Sequence, residues 1–147
     1  MPPLIKVYEA FGAIADGRVK LLSDGQATVA SSDGSKNYTV TVANQAREIS
    51  SNDNASYWQG YLGYPAIAVL IARGFISVPS ERMTPLASIQ WKDINRRLKD
   101  YAKAMTEADR QVIASGGDPI AIRAEAEKVI EALGELRPHR GKRIRPP

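Results

Sequence analysis

Residues 57–74 read YWQGYLGYPAIAVLIARG, and the reading of this stretch decides the fold. Four aromatics, Tyr57, Trp58, Tyr61 and Tyr64, crowd into eight residues; Gly63-Tyr64-Pro65 then makes a turn, and Ala66 to Arg73 is an apolar run stopped by Gly74. A proline at the start and a glycine just past the end are the terminal signals of a helix, and a helix with no polar face is a buried one. Upstream, RVKLL, QATVA and YTVTV are short β-branched or alternating runs divided by SDG and SSDGSKN. That is the turn chemistry of an antiparallel meander. AREI adds a candidate edge strand, and before the strands Leu4, Val7, Tyr8, Phe11 and Ile14 recur at helical spacing until Ala-Asp-Gly stops them.

Beyond residue 74 the pattern changes. Pro79 and Pro85 mark a boundary, and Thr84-Pro85 carries the signature of a helix start. Leu86, Ile89, Ile94, Leu98, Tyr101, Met105, Ala108 and Val112 follow at spacings averaging about 3.5, which predicts one long amphipathic helix with a narrow apolar seam. SGGDP breaks it. Asp118 caps and Pro119 starts a second helix with Ile122, Ala126, Val129, Ile130 and Leu133 on its apolar face, so the pair folds back as a hairpin. This second helix is too short to cover the whole seam, whose remainder should face the β unit or another subunit. The expected fold is therefore α+β: a small antiparallel β-meander with a short packed helix, preceded by one helix and followed by a long helical hairpin. Its expected divisions are an α+β unit over residues 1–80, a hairpin extension over 81–136 and a basic, disordered tail over 137–147.

With 147 residues and 44% hydrophobic content, the chain can bury one sizeable core. There is no apolar run long enough to span a membrane and no signal-peptide pattern at the N-terminus, so the expectation is a cytoplasmic protein without a membrane partner. The absence of cysteine excludes disulfides, thiolate nucleophiles and Cys-based zinc sites. The single histidine, His139, lies in the tail, which removes triads and metal clusters that need a core imidazole. The acidic residues show no pairing that forces two carboxylates together, and no phosphate-binding glycine motif is present. The sequence thus reads as a non-enzyme with no cofactor.

The net charge of +4 is localised. Arg137, Arg140, Lys142, Arg143 and Arg145 sit in a Pro-rich tail without an acid, leaving fifteen basic against sixteen acidic groups in residues 1–136. Such an arm is attracted to polyanions, or else is a solubilising end. A second set, Lys92, Arg96, Lys99 and Lys103, falls on one stripe of the long helix and matches a phosphate backbone. Pairing of Asp93 with Arg97 and Asp100 with Arg96 would instead make it an ordinary solvated face.

The segment ATVASSDGSKNYTVTV followed by ISSNDNASYWQGYLGYPAIAVLI resembles the SWIM-type zinc finger family over residues 27–73. The resemblance rests on Ser31, Ser32, Gly34, Tyr38, Val40, Ala68 and Val69. It places Ile49 and Ser51 at the first two zinc ligands, Gly63 at the third and Pro65 at the fourth, so all four are lost. The resemblance implies a zinc-free relative of a family linked to DNA binding and protein interaction. Zinc in so small a site supplies on the order of 10 kcal/mol to folding. Burial of the aromatics, about 150–250 Å² each, is the expected substitute. Two functions stay open: a non-catalytic nucleic-acid-associated accessory protein that binds DNA or RNA mainly through charge, or an interaction module that forms a homo-oligomer or docks on a larger protein complex through its C-terminal helices.

Overall fold

The computed structural model describes residues 1–56, 60–141 and 144–147, with the side chains of His139 and Arg140 excepted. Tyr57 and Trp58 of the aromatic knot and Lys142 and Arg143 of the arm lie outside the described residues.

The expected α+β order is present. Helix α1 (Leu4–Ala15) precedes four antiparallel strands, β1 (Val19–Leu21), β2 (Gln26–Ala30), β3 (Asn37–Ala43) and β4 (Glu48–Ser51), which pair in sequence order. Helix α2 (Tyr64–Ala72) follows. In register Ala27 faces Val40, Val29 faces Tyr38 and Val42 faces Ile49. Alternation along each strand sends Ala27, Val29, Val40, Val42 and Ile49 to the buried face. Helix α2 packs on that face, with every residue from Pro65 to Ile71 buried, because α1 covers its other side. Arg73 closes the end of α2 by donating from Nη2 to the carbonyls of Leu22 and Gln26 at 2.8 and 2.9 Å.

The helical half differs from the sequence expectation in one respect. A short helix, α3 (Ser80–Met83), stands in the predicted boundary segment, and the predicted long helix from Thr84 is a chain of shorter pieces: a 3-10 turn (Thr84–Leu86), α4 (Trp91–Leu98) and α5 (Tyr101–Ala114). Ser88 and Lys99 adopt the left-handed conformation (φ +66° and +50°), and Asp100 starts α5 by accepting a hydrogen bond from the Lys103 backbone N–H. The breaks have a packing cause. Leu86, Ile89, Trp91 and Ile94 are all buried, and the redirected α5 buries Ala104, Met105, Ala108 and Val112. A straight rod does not wrap a curved body in this way. The seam is therefore covered mainly within the chain, by α1 and by α6 (Pro119–Leu136). Only Tyr101 of its larger side chains is exposed. A dimer built on the seam, one of the two expected roles, has little apolar surface left to use. The α5–α6 hairpin forms as expected, with Asp118 accepting from the backbone N–H groups of Ile120 and Ala121. One continuous hydrophobic cluster runs from the sheet through α1 to α6.

Lysine at position 99 carries a steric cost in its left-handed conformation that glycine avoids. Lys99→Gly is expected to stabilise the protein by roughly 0.5–1 kcal/mol in urea unfolding. A loss of stability would place the elbow conformation in doubt.

Candidate functional site

The predicted basic stripe is split by the elbow. Lys92 and Arg96 lie on α4, Lys99 at its C-terminal cap and Lys103 on α5. Lys92 docks on the β2–β3 turn: its backbone N–H donates to Ser32 Oγ at 2.9 Å, and its ammonium meets the Ser35 hydroxyl and lies 3.6 Å from Asp33. Hydrogen bonds from the Ser35 backbone, the Ser35 hydroxyl and the Ser31 hydroxyl, joined by the Lys92 charge, hold the Asp33 carboxyl well below its usual range. Asp93 pairs with both Arg96 (3.0 Å) and Arg97 (2.9 Å), whereas Asp100 caps α5 instead of meeting Arg96. Both arginines stay solvated on this exposed surface. Inside the elbow, an open groove of about 590 Å³ is lined by Arg97, Leu98, Ala102, Lys103, Thr106, Arg110 and one acid, Glu107, which accepts from Arg110 Nε at 2.6 Å and from its Nη2 at 2.8 Å. Arg110 continues the stripe two turns after Lys103 on α5, whereas Arg97, next to Arg96, falls off it.

The arm does not read as fully irregular. His139–Arg140 forms a two-residue strand, β5, parallel to β4, and Gly141 N–H donates to the Ile49 carbonyl at 2.6 Å. The open edge of β4 offers backbone groups that this segment satisfies. Arg137 caps α6 in a left-handed conformation, and Arg145 is exposed. At the far end, Lys36 Nζ donates to the Pro147 carbonyl at 2.8 Å, which brings the arm to the β2–β3 turn on which Lys92 docks.

Two of the four positions aligned with zinc ligands meet at a buried carboxylate. Asp53, 4% exposed, accepts from the Ser51 hydroxyl, the Ser56 hydroxyl (2.7 Å) and the Ser56 backbone N–H (3.1 Å), while Gly63 N–H donates to Ser56 Oγ at 3.3 Å. Gly63 lies so close that an added Cβ would sit 2.6 Å from Asp53 Cγ. Ile49 and Pro65 are buried and apolar. The aligned positions offer one hydroxyl and no thiolate or imidazole, a donor set that does not fit structural zinc. Among the described residues no group of three or more His, Cys, Asp or Glu is placed to hold a metal.

Beside this cluster is a cleft of about 210 Å³ that the sequence reading missed. Helix α1 contributes Lys6 and Glu9; the sheet and its turns contribute Arg18, Ser31, Ser32 and Tyr38; α2 contributes Tyr64; and α4 contributes Lys92 and Asn95. Glu9 is only 3% exposed and accepts from Asn95 Nδ2 at 2.8 Å and from Lys6 Nζ at 3.4 Å. Burial is the largest single influence on the Lys6 ammonium and disfavours it, but the charge and hydrogen bond of Glu9 together with Tyr101 and Tyr61 turn the net shift upward. Arg18 donates to Asp16 at 3.1 Å and to the Ala30 carbonyl at 2.6 Å. Tyr38 and Tyr64 meet edge to face with centroids 6.2 Å apart. Burial, seconded by Asp53 for Tyr38 and by Tyr38 for Tyr64, raises both phenol pKa values, so the hydroxyls remain donors. A signal existed: Glu9 follows Lys6 by three residues inside an otherwise apolar helix, between Tyr8 and Ala10.

The family model described as "Uncharacterised conserved protein UCP014422" matches residues 1–139. The chain belongs to this family. The match takes in the cleft and the elbow, while Arg140 and the arm residues after it lie beyond its end. No curated protein and no solved structure matches the chain.

Proposed function

We propose that this family member is a non-catalytic, nucleic-acid-associated accessory protein of the cytoplasm that binds DNA or RNA mainly through charge. One observation carries the reading. The end of the basic arm is bonded to Lys36, and Lys92 of α4 docks on the same β2–β3 turn, so two basic segments far apart in sequence flank one surface feature. Lys99 and Lys103 extend that surface around the elbow, beside the groove arginines Arg97 and Arg110, which pair with Asp93 and Glu107. Exposed cations along the elbow and a basic arm suit phosphate contacts, which set affinity without reading sequence. The zinc-free SWIM-like reading is part of the same proposal. Its support is that positions 51 and 63, distant in sequence, come together at Asp53. Among the described residues no helix is long and apolar enough to cross a membrane.

The interaction-module reading is favoured by a different observation. Ile113 and Ile120, 63% and 81% exposed, stand at the tip of the α5–α6 hairpin, where a protein partner or second copy would find apolar surface. Gel-shift titration separates the two readings. Replacing Lys92, Arg96, Lys99 and Lys103 together by Gln is expected to weaken binding to single-stranded and duplex probes of any sequence by about tenfold or more at low salt, and to flatten the salt dependence. Unchanged affinity in this variant, with Ile113→Ser and Ile120→Ser altering assembly in sedimentation, would favour the module.

A further inference from the structure

The cleft is the least explained feature of the molecule, because it gathers charged groups at the junction of α1, the β2–β3 turn, the segment after β4 and α4 without a structural need for so many. Its two carboxylates are already engaged. Asp53 is turned into the Ser51–Ser56–Gly63 cluster, and Glu9 is shared by Lys6 and Asn95. Its cations are less fully used. Lys6 has three N–H donors; its carboxylate contact is a single 3.4 Å pair with Glu9, beside the Tyr101 ring at 5.4 Å. Lys92 Nζ donates to the Ser35 hydroxyl and lies 3.6 Å from Asp33, which leaves it a further N–H. Arg18, already donating to Asp16 and to the Ala30 carbonyl, adds a third positive charge to the wall, and the Ser32, Tyr38 and Tyr64 hydroxyls add neutral donors. Aromatic faces of Tyr38 and Tyr64 give the same cavity an apolar side. One buried acceptor, Asn95 Oδ1, and one buried donor, Trp91 Nε1, are unpaired in the same wall. Cations and neutral donors that outnumber this acceptor, beside an apolar wall, describe a receptor for an anion carried on a small organic body.

We propose that this cleft binds a small organic anion, a carboxylate or a phosphate monoester, with its charged group held by Lys6 and Lys92 and the hydroxyls of Ser32 and Tyr64. The site lies apart from the elbow groove and its occupancy does not require nucleic acid, although Lys92 belongs to both surfaces. Calorimetric titration of the full-length protein with AMP, inorganic phosphate, acetate and adenosine tests it. The expected result is saturable binding at one site for AMP and for at least one of the simple anions, with none for uncharged adenosine. The ranking of phosphate against acetate then identifies the charged group. Lys6→Met should weaken binding by about tenfold or more and Tyr64→Phe by about fivefold, while Lys128→Met on the exposed face of α6 should leave it unchanged. Lys6→Met strands the buried Glu9, so its fold is checked by thermal melting; if it does not fold, Tyr64→Phe and Ser32→Ala decide. Absence of saturable binding by every anion at millimolar concentration, or binding that Tyr64→Phe and Ser32→Ala leave intact, would overturn the proposal.

Discussion

Gly63→Ala is expected to destabilise the protein by roughly 3 kcal/mol or more, a large share of the total stability of a domain this size. The added methyl would be driven into the Asp53 carboxylate, 2.6 Å from its Cγ, and Asp53 has little freedom to retreat because Ser51 and Ser56 hold both of its oxygens. Asp53→Ala should cost about 3–5 kcal/mol by the converse route, since it takes the shared acceptor away from two hydroxyls and a backbone N–H in a buried place. The two effects share one contact and should not add. In the Asp53→Ala background, Gly63→Ala should cost well under half of its effect in the parent chain, because the methyl then enters the space left by the carboxylate. Urea unfolding of the four proteins measures this directly. Additive costs, or a Gly63→Ala effect below about 0.5 kcal/mol, would mean that the Asp53 cluster does not hold the turn.

This cluster also shows where sequence reading stopped. The turn after β4 plainly needs a fastener if it descends from a zinc site, and the aromatic knot was the conspicuous substitute in YWQGYLGY. The fastener described here is polar: Asp53 and two serines in SSNDNAS, a segment whose composition is that of any surface turn. Nothing local marks Asp53 as buried; only the return of Gly63 against it does. Of the aromatics that are described, Tyr64 is half-buried against Tyr38 and forms a wall of the cleft. The strands, α1, α2 and the α5–α6 hairpin were legible because their periodicities are strong and their ends carry Gly, Pro or Asp. The break at Lys99 was not. Leu98, Tyr101 and Met105 keep helical spacing across it, and Asp100, a good capping residue, also fits a helix interior as a partner for Arg96. The choice was made by long-range packing of α4 and α5 on α1, which a single helical wheel does not contain. The cleft was hidden for the same reason, its residues coming from α1, the strands and their turns, the segment after β4, the start of α2, and α4.

Replacing Arg137, Arg140, Lys142, Arg143 and Arg145 together by Gln is expected to have the largest effect on nucleic-acid affinity. The substitution keeps the backbone pairing of β5 with β4, which a deletion would remove, and takes away all of the positive excess of the chain. Each arm cation that pairs with a phosphate contributes about 0.9 to the slope of log affinity against log salt on duplex DNA and about 0.7 on a single strand, so the slope should flatten by that amount for every pair removed. Affinity should drop by similar factors for every sequence, since the arm offers charge and no base-reading geometry. The remaining body is close to neutral, and at physiological ionic strength its elbow cations act over only about 8 Å, so its binding should be weak. Equal affinity and equal slope for the parent and Gln proteins would make the arm a solubilising end that happens to complete the sheet.

The central claim is tested most directly by fluorescence anisotropy of labelled duplex and single-stranded probes of unrelated sequence, titrated with the full-length protein across a series of salt concentrations. The account predicts binding at low salt to all probes, with affinities that fall linearly on a log–log plot and with slopes shared between sequences. The absence of binding at low salt, or binding whose affinity does not change with salt, would contradict it.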